Sequence, residues 1–338
     1  TAFMTTALFA YYSKLKEKNP LYLLKNILFG GEKINTDDLE VFLRSNHTNT
    51  QLVHVYGPTE NIVFSTYCPI NEDNKFYAPI GKKLSDKIVY ILDEGMHPVL
   101  AGIKGEIYIG GGMARGYLNR PALTAERFVP NPFGEGDRLY KTGDFGRHLS
   151  DGNIEFLGRI DDQVKIRGFR IELGEIEAQL NQYKEVSQSI VTDWEEEGYR
   201  RLVAYVVLKN VVIENSDNHI SLNVLKGKEA VSLTEELRNY LADRLADYMI
   251  PAYFIFIDKI PLNSSGKVNK KILPPPDLKA IQEGKDYLAP QTALQEKLVS
   301  LWSDVLRMEK IGISDNFFRI GGDSIISIQL VAKARQQS

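Results

Sequence analysis

Three consecutive prolines, Pro274-Pro275-Pro276, constrain the fold of this 338-residue chain more than any other feature. A proline has no N–H to give to a helix or sheet ladder, and its fixed φ favours extended polyproline geometry, so no regular element runs through Leu273-Pro274-Pro275-Pro276-Asp277. The segment reads as a linker between unlike parts. Length agrees, since the chain exceeds the roughly 100–200 residues of one domain and calls for two or three folded units.

Between about Leu21 and Ile160, short β-rich runs such as Lys87-Ile88-Val89-Tyr90-Ile91-Leu92 and Gly105-Glu106-Ile107-Tyr108-Ile109 alternate with Gly- and Pro-bearing turns. This predicts an α/β edge followed by a small β-rich subdomain. Between Gly174 and Pro261, the helical pattern Glu175 to Leu180, strands within Leu202 to Leu208 and Tyr253 to Ile257, and a helix from Thr234 to Leu245 predict a compact α+β domain. Residues 212–230, polar and aperiodic, read as a long loop. Past the linker, Leu294, Leu298, Leu301, Trp302, Val305 and Leu306 recur at helical spacing, and Ser324 to Ala334 forms a second helical pattern after a glycine turn. The fold class is thus α/β and α+β multidomain with a terminal helical bundle, divided at 1–160, 161–273, 274–287 (linker) and 288–338. Two helices are too few to close a bundle comfortably, so the bundle is expected to be cut short. The opening residues run as an apolar, helix-like stretch through Tyr12 with no initiating segment, so Thr1 is not expected to be a biological start.

Composition narrows the function. Hydrophobic residues make up 43% and charged residues 25%, the balance of a folded globular chain. A net charge of -3 supplies no basic field for a polyanion, which argues against nucleic acid as a partner. No apolar run reaches the roughly 18–20 residues of a membrane span, so neither membrane nor export is expected. Cys68 is the single cysteine, which rules out an intrachain disulfide framework, fits a reducing cytoplasm and makes Cys68 a buried structural thiol. The five histidines lack metal-site spacing. Gly110-Gly111-Gly112 reads as a tight turn, and Glu195-Glu196-Glu197 as a solvated loop.

The richest local signal is His54-Val55-Tyr56-Gly57-Pro58-Thr59-Glu60, an apolar strand end entering a Gly-Pro turn that presents an aromatic ring, a hydroxyl and a carboxylate together. Tyr56 could stack on a base, Thr59 could bond phosphate oxygens, and Glu60 could hold Mg²⁺, a hard cation that takes carboxylate oxygen. Taken alone, such a turn is ordinary punctuation. Downstream follow Arg138-Leu139-Tyr140-Lys141-Thr142-Gly143-Asp144, then Gly152 through Asp161, then Gln163-Val164-Lys165-Ile166-Arg167-Gly168-Phe169-Arg170.

In order and spacing these segments, with Gly105 to Tyr117, resemble the adenylation domains of nonribosomal peptide synthetases within the adenylate-forming superfamily. The likeness continues through Pro261-Leu262-Asn263-Ser264-Ser265-Gly266-Lys267-Val268, which is similar to the family's catalytic-lysine loop. It closes on Asp315-Asn316-Phe317-Phe318-Arg319-Ile320-Gly321-Gly322-Asp323-Ser324, which resembles the attachment motif of a peptidyl carrier domain. The implied fold is the C-terminal part of the adenylate-forming core, a small mobile α+β subdomain and a truncated carrier.

By that resemblance Tyr56, Thr59, Asp144 and Arg159 bind ATP, with Asp144 on the ribose hydroxyls and Arg159 at the ribose or phosphate. Asp161 is the hinge and Glu60 the Mg²⁺ ligand. Lys267 is the catalytic charge at the reacting carboxylate and α-phosphate, while Lys165 and Gly168 line the thiol's approach, Lys165 counting with the catalytic residues. Ser324 carries 4′-phosphopantetheine; a Gly-Gly turn opening a helix exposes its hydroxyl, although a plain helix cap fits the same local pattern. Met4, Leu28, Gly30, Val55, Val63 and Phe64 line the acyl pocket. Such apolar walls offer nothing to a charged side chain, which predicts a branched aliphatic amino acid or its keto or hydroxy analogue. His54 stands where the family usually has Asn. The family's phosphate loop and its α-amino-binding aspartate are not in this sequence, so the chain alone is expected not to adenylate. Implied partners are a phosphopantetheinyl transferase and neighbouring condensation or modifying domains. An acyl-CoA ligase and a non-catalytic scaffold remain as alternatives.

Overall fold

In the computed structural model the opening segment is not helical throughout. Ala2–Thr5 form strand β1, and helix α1 runs over Thr6–Ser13. The Thr5 hydroxyl accepts the Leu8 N–H at 3.3 Å and so caps the helix, and β1 is pinned parallel to β2 (Asn26–Gly30), Phe3 facing Leu28. Apolar residues this close to a helix carry no alternation that separates the two states. The structure describes residues 1–15, 19–45, 50–134, 137–196, 199–209, 222–225, 227–263, 266–277, 287–306, 308, 310–317, 320, 322 and 324–337. These divide into the units Thr1–Arg170 and Ile171–Ser338.

In the first unit β1, β2 and β3 (Gln51–Tyr56) are parallel, and β4 (Thr66–Ile70) and β5 (Lys82–Lys83) extend the sheet antiparallel. Helix α1 leads from β1 towards β2, and α2 (Thr36–Ser45) from β2 to β3. Asn35 starts α2 by accepting the Asp37 N–H, and Asp37 and Asp38 lie at its positive end. Leu39 and Phe42, one turn apart, are buried with Phe9, Ile27, Phe29 and Leu52. Each such side chain stabilises the fold by about 1.5–3 kcal/mol. Cys68 sits in this core, where burial pushes its thiol up to about 11, as a structural thiol requires.

The β-rich part is a second sheet in the order β10-β9-β7-β6, with β8 (Phe128–Pro130) beside β9. It comprises β6 (Ile88–Leu92), β7 (Gly105–Gly110), β9 (Arg138–His148) and β10 (Ile154–Arg159), and helix α3 (Pro121–Arg127) leads into β8. Past β10 the chain forms a two-stranded hairpin, β11 (Val164–Ile166) and β12 (Phe169–Ile171).

The second unit begins with α4 (Leu173–Leu180). Its sheet has β13 (Val186–Glu196) and β14 (Tyr199–Leu208) antiparallel and β15 (Tyr253–Phe256) parallel to β14. Two expectations are corrected here. Glu195 and Glu196 are not in a loop: they are the last two residues of β13, Glu195 facing Arg200 on β14 and accepting its guanidinium at 3.1 Å, while Glu197 lies outside the described residues. The segment read as a loop up to Ala230 already carries helix α5, which spans Lys228–Ala242 after Gly227; residues 212–221 lie outside the described residues. The start of the proline run is tied down, since the Tyr205 hydroxyl donates to the Pro274 carbonyl at 2.8 Å. The helices Ala293–Leu306 and Ser324–Gln337 enclose a small core of Leu306, Ile311, Phe317 and Ile326, with Trp302 set edge-on to Phe317 at 5.0 Å. Among the described residues no helix is long and apolar enough to cross a membrane.

Candidate functional site

The site of the first unit gathers where β3 ends beside the pairing of β9 with β10. Asp144 on β9 and Arg159 on β10 face each other in register, so their side chains leave the same side of the ladder. Arg159 donates Nη1 to Asp144 Oδ1, and the Tyr56 hydroxyl donates to Oδ2 at 2.6 Å. The carboxylate is 2% exposed and still satisfied. Burial, together with the charge on Asp144, raises the Tyr56 hydroxyl well above its ordinary value and keeps it protonated as the donor. Arg159 forks onto Asp161 as well, Nε at 2.6 Å and Nη2 at 2.8 Å. Burial opposes its charge, but Asp161 and Asp144 prevail and hold the guanidinium protonated. Asp161 is held below the usual carboxylate range; burial works against this, and the Arg159 hydrogen bonds and charge overcome it.

The backbone beneath Asp144 is fixed. Thr142 Oγ1 donates to the Ile107 carbonyl at 2.6 Å and accepts the Asp144 N–H, and Glu106 accepts the Gly143 N–H at 3.0 Å. Burial raises the Glu106 carboxyl. An acid inside the otherwise apolar run Gly105-Glu106-Ile107-Tyr108-Ile109 was the sequence signal for this support, and pattern reading passed over it.

Thr59 is exposed on the short turn Thr59–Asn61, whereas Glu60 is 9% exposed. Glu60 Oε1 accepts the Tyr117 hydroxyl at 2.5 Å and the Tyr140 hydroxyl at 2.8 Å, and Arg170 Nη1 reaches Oε2 at 3.0 Å. Burial pushes the carboxyl up, but these hydroxyls and the Arg170 charge leave it below its ordinary value. Arg170 donates further to Tyr140 at 3.2 Å and to buried Gln163 at 2.5 Å. Tyr117, Tyr140, Gln163 and Arg170 all lie in the motif segments, yet local pattern does not reveal that Tyr117, Tyr140 and Arg170 converge on one carboxylate while Gln163 holds Arg170. Mg²⁺ needs near-octahedral oxygen ligation at about 2.0–2.1 Å. With two hydroxyls and a guanidinium on Glu60, the residues as arranged do not fit the ion. Among the described residues no group of three or more His, Cys, Asp and Glu is placed to hold a metal.

The β11–β12 hairpin lies against the same strand ends. Lys165 Nζ sits 5.5 Å from the Tyr56 ring centroid, and burial lowers its pKa although Asp144 opposes the shift. The Gly168 N–H donates to Glu32 at 2.6 Å. Gly168 has φ +83°, and a Cβ there would come within 2.8 Å of Thr5, so the tip requires glycine.

Of the expected pocket residues, Met4 and Val55 are buried, Leu28 is half-buried, and Gly30 is so close to Val55 that a Cβ would fall 2.1 Å from its carbonyl oxygen. Val63 is 58% exposed, and Phe64 packs edge-on against Phe3 at 5.1 Å. Ile62 and Val63 both have positive φ, 52° and 63°, a conformation that branched side chains rarely adopt. Buried Asn61 braces them, donating to the Gly111 carbonyl and accepting from Ser65. His54 is buried, stacked on Phe29 at 5.0 Å with Nδ1 near the Ala78 and Pro79 carbonyls, and burial lowers its pKa.

In the second unit Lys267 is exposed on a loop closed by the Leu262–Val268 bridge, its N–H donating to Asn263 Oδ1 at 3.0 Å. Ser264 and Ser265 lie outside the described residues, as do Gly321 and Asp323; Ser324 is described as the first residue of its helix.

Three family matches run along the chain in order: AMP-binding enzyme over residues 1–118, AMP-binding enzyme C-terminal domain over 175–267, and phosphopantetheine attachment site over 296–338. The chain belongs to the adenylation and carrier family of nonribosomal peptide synthetases. That family works with ATP, Mg²⁺ and 4′-phosphopantetheine. Bacitracin synthase 1 of Bacillus licheniformis is 45% identical over 339 residues, covering 99% of this chain and 6% of the relative. Bacitracin synthase 3 of the same organism is 44% identical over 339 residues, covering 99% of this chain and 5% of its own length. The chain therefore spans a small part of the curated relatives it matches. The structure of holo-PA1221, an NRPS protein containing adenylation and PCP domains bound to a vinylsulfonamide inhibitor, aligns at TM-score 0.75 and 27% identity, over 100% of this chain and 52% of that one.

Proposed function

We propose that this chain is the distal part of an adenylation domain joined to its carrier, which in the complete synthetase activates a carboxylic acid with ATP and loads it as a thioester. The observation that carries the reading is the buried Asp144 carboxylate, oriented by Tyr56 and Arg159. A carboxylate has about four lone-pair sites, and those two donors leave lone pairs for the vicinal hydroxyls of a ribose. Arg159 supplies a permanent forked cation beside them for ribose or phosphate oxygen, and Thr59, exposed at its turn, supplies a hydroxyl to phosphate.

In the first half-reaction the substrate carboxylate attacks the α-phosphorus of ATP, giving acyl-adenylate and pyrophosphate, and Lys267 meets the charge that develops. In the second, the carrier thiol attacks the acyl carbon and AMP leaves; Lys165 and Gly168 border its approach, and the chain turns about Asp161. Ser324 bears the arm, placed there by a phosphopantetheinyl transferase. Domain limits of 1–160, 161–273 and 288–338 around the linker belong to this proposal, as do cytoplasmic residence and neighbouring condensation or modifying domains. The substrate is a branched aliphatic amino acid or its keto or hydroxy analogue, supported by the apolar side chains Met4, Leu28, Val55, Val63 and Phe64 with Gly30.

Pyrophosphate exchange by the complete synthetase, across a panel of acids, tests the reading. Exchange with valine-, leucine- or isoleucine-type acids is expected, with weak discrimination among them because one methylene is worth only about 1–3 kcal/mol. Exchange led by aspartate, lysine or glutamine refutes the substrate, and no exchange with any acid refutes the activity. In the same preparation, coenzyme A and the transferase should add the arm's mass to the wild type and not to Ser324→Ala.

A further inference from the structure

A lysine just before β6, outside the motif segments, is buried behind the rim of the proposed acyl pocket. We propose that Lys87 is a positioning residue for that rim: together with Asn61 it fixes the Gly111 carbonyl, and through it the strained turn that presents Val63 and Phe64 to the substrate acid. The inference rests on the reading of Val63 and Phe64 as pocket residues.

The Phe64 N–H donates to the Ile62 carbonyl at 2.9 Å and closes a γ-turn about Val63, whose φ is 63°. A γ-turn of positive φ is rare and strained, and Ile62 before it is left-handed as well. Such conformations persist only where their surroundings over-determine them. Here Ser65 Oγ donates to Asn61 Oδ1 at 2.9 Å and ties together the residues on either side of the turn, while the Tyr56 carbonyl accepts the Ser65 N–H at 2.7 Å. A Cβ on Gly57 would fall 2.6 Å from the Val63 carbonyl oxygen, so the turn rests directly on the Gly-Pro backbone. Asn61 is anchored in its turn: its Nδ2 donates to the Gly111 carbonyl at 2.8 Å, and Lys87 Nζ donates to the same oxygen at 3.1 Å. A carbonyl oxygen has two lone pairs, and these two donors occupy both. The segment that carries Lys87 also reaches the far side of the turn, since the Leu84 N–H donates to the Ser65 carbonyl at 3.0 Å and the Lys87 N–H to the Leu84 carbonyl at 3.1 Å. Lys87 is 6% exposed, and burying an ammonium costs free energy that an apolar side chain in its place would not. Asp86 lies 3.7 Å away and is largely exposed, so it offsets little of that cost. The charge is aimed at Gly111, and its use is to keep Asn61, and with it the rim, in one place. None of these bonds touches Asp144 or Arg159, so the rim is set separately from the nucleotide cluster.

The test is pyrophosphate exchange by the complete synthetase, with KM for the acid and KM for ATP measured separately. Lys87→Met keeps the stem but has no N–H, and it should raise the acid KM several-fold while leaving the ATP KM unchanged. A loss of stability alone lowers the active fraction, and so kcat, without moving either KM. An unchanged acid KM, or acid and ATP KM rising together, overturns the proposal. The route through the turn is checked by Ile62→Asn, because asparagine accepts the left-handed conformation with less need of a brace. In that background the effect of Lys87→Met should shrink, and an equal fold-change in both backgrounds overturns the route. Where Lys87→Met does not fold, Ser65→Ala releases Asn61 from its other side and carries the same expectation for the two KM values. Val63→Ala separates this failure from failure of the underlying reading: if its acid KM equals that of wild type, Val63 does not meet the substrate and the pocket assignment itself falls.

Discussion

Asp144 and Lys267 are both proposed to act on the nucleotide, and the protein treats them in opposite ways. Asp144 is 2% exposed, its oxygens already held by Tyr56 and Arg159 and its backbone fixed through Thr142 and Glu106. Lys267 keeps its backbone in a closed loop, while its side chain lies exposed in the second unit. A group that must hold a ligand throughout is best oriented in advance, because ordering it later costs side-chain entropy. A group needed for one step can keep its rotamer freedom and be brought in with its loop. On the proposed roles the contrast separates stability from chemistry: the buried acid would contribute to both, the exposed lysine to one.

The sharpest break of this contrast is Asp144→Ala. It leaves Arg159 partly uncompensated in a buried setting, which should cost about 3–5 kcal/mol of stability and abolish nucleotide binding. Urea unfolding beside nucleotide titration checks both, and a variant that stays fully stable would mean the cluster is not a structural unit. Next comes Lys267→Ala in the complete synthetase. Its stability should stay within about 0.5 kcal/mol of wild type, while single-turnover adenylate formation falls about 10²–10³-fold with ATP binding retained. Equal losses in binding and rate would place the lysine with Asp144 as a holding group.

The smallest effect belongs to His54, which shares strand β3 with Tyr56. Burial lowers its folded-state pKa from the ordinary 6.5, so the unfolded chain binds the proton more readily. This contribution to stability is fully present above 6.5 and is lost as pH falls from there through the folded pKa, with a slope of at most about 1.4 kcal/mol per pH unit. Unfolding titrations on either side of that point should slope less in His54→Asn. An identical slope in both would assign the pH dependence to other groups.

Sequence reading reached furthest where structure is local. The strands Ile88–Leu92 and Gly105–Gly110, the helix Leu173–Leu180 and the terminal helix pair follow from period and punctuation. It fell short where a partner distant in sequence decides. Arg170 and Glu60 are 110 positions apart, and nothing in either motif says which cation meets which acid. Glu195 reads as part of a solvated run because its partner Arg200 lies on the facing strand. Helix α5 begins at Lys228 instead of Thr234 because apolar spacing marks the buried face of a helix and not its first, exposed turn.

The paired left-handed residues Ile62 and Val63 carry a consequence for how this protein can change. Each branched residue in that conformation gives up about 1–2 kcal/mol that glycine would keep. Random substitution across the molecule mostly erodes stability, but at these two positions exchange for glycine or asparagine relieves the backbone. The rim of the proposed pocket is therefore a place where drift can gain stability while altering the surface proposed to meet the substrate. A lineage that shifts its acid preference there starts with a thermodynamic margin, where most enzymes begin with a deficit.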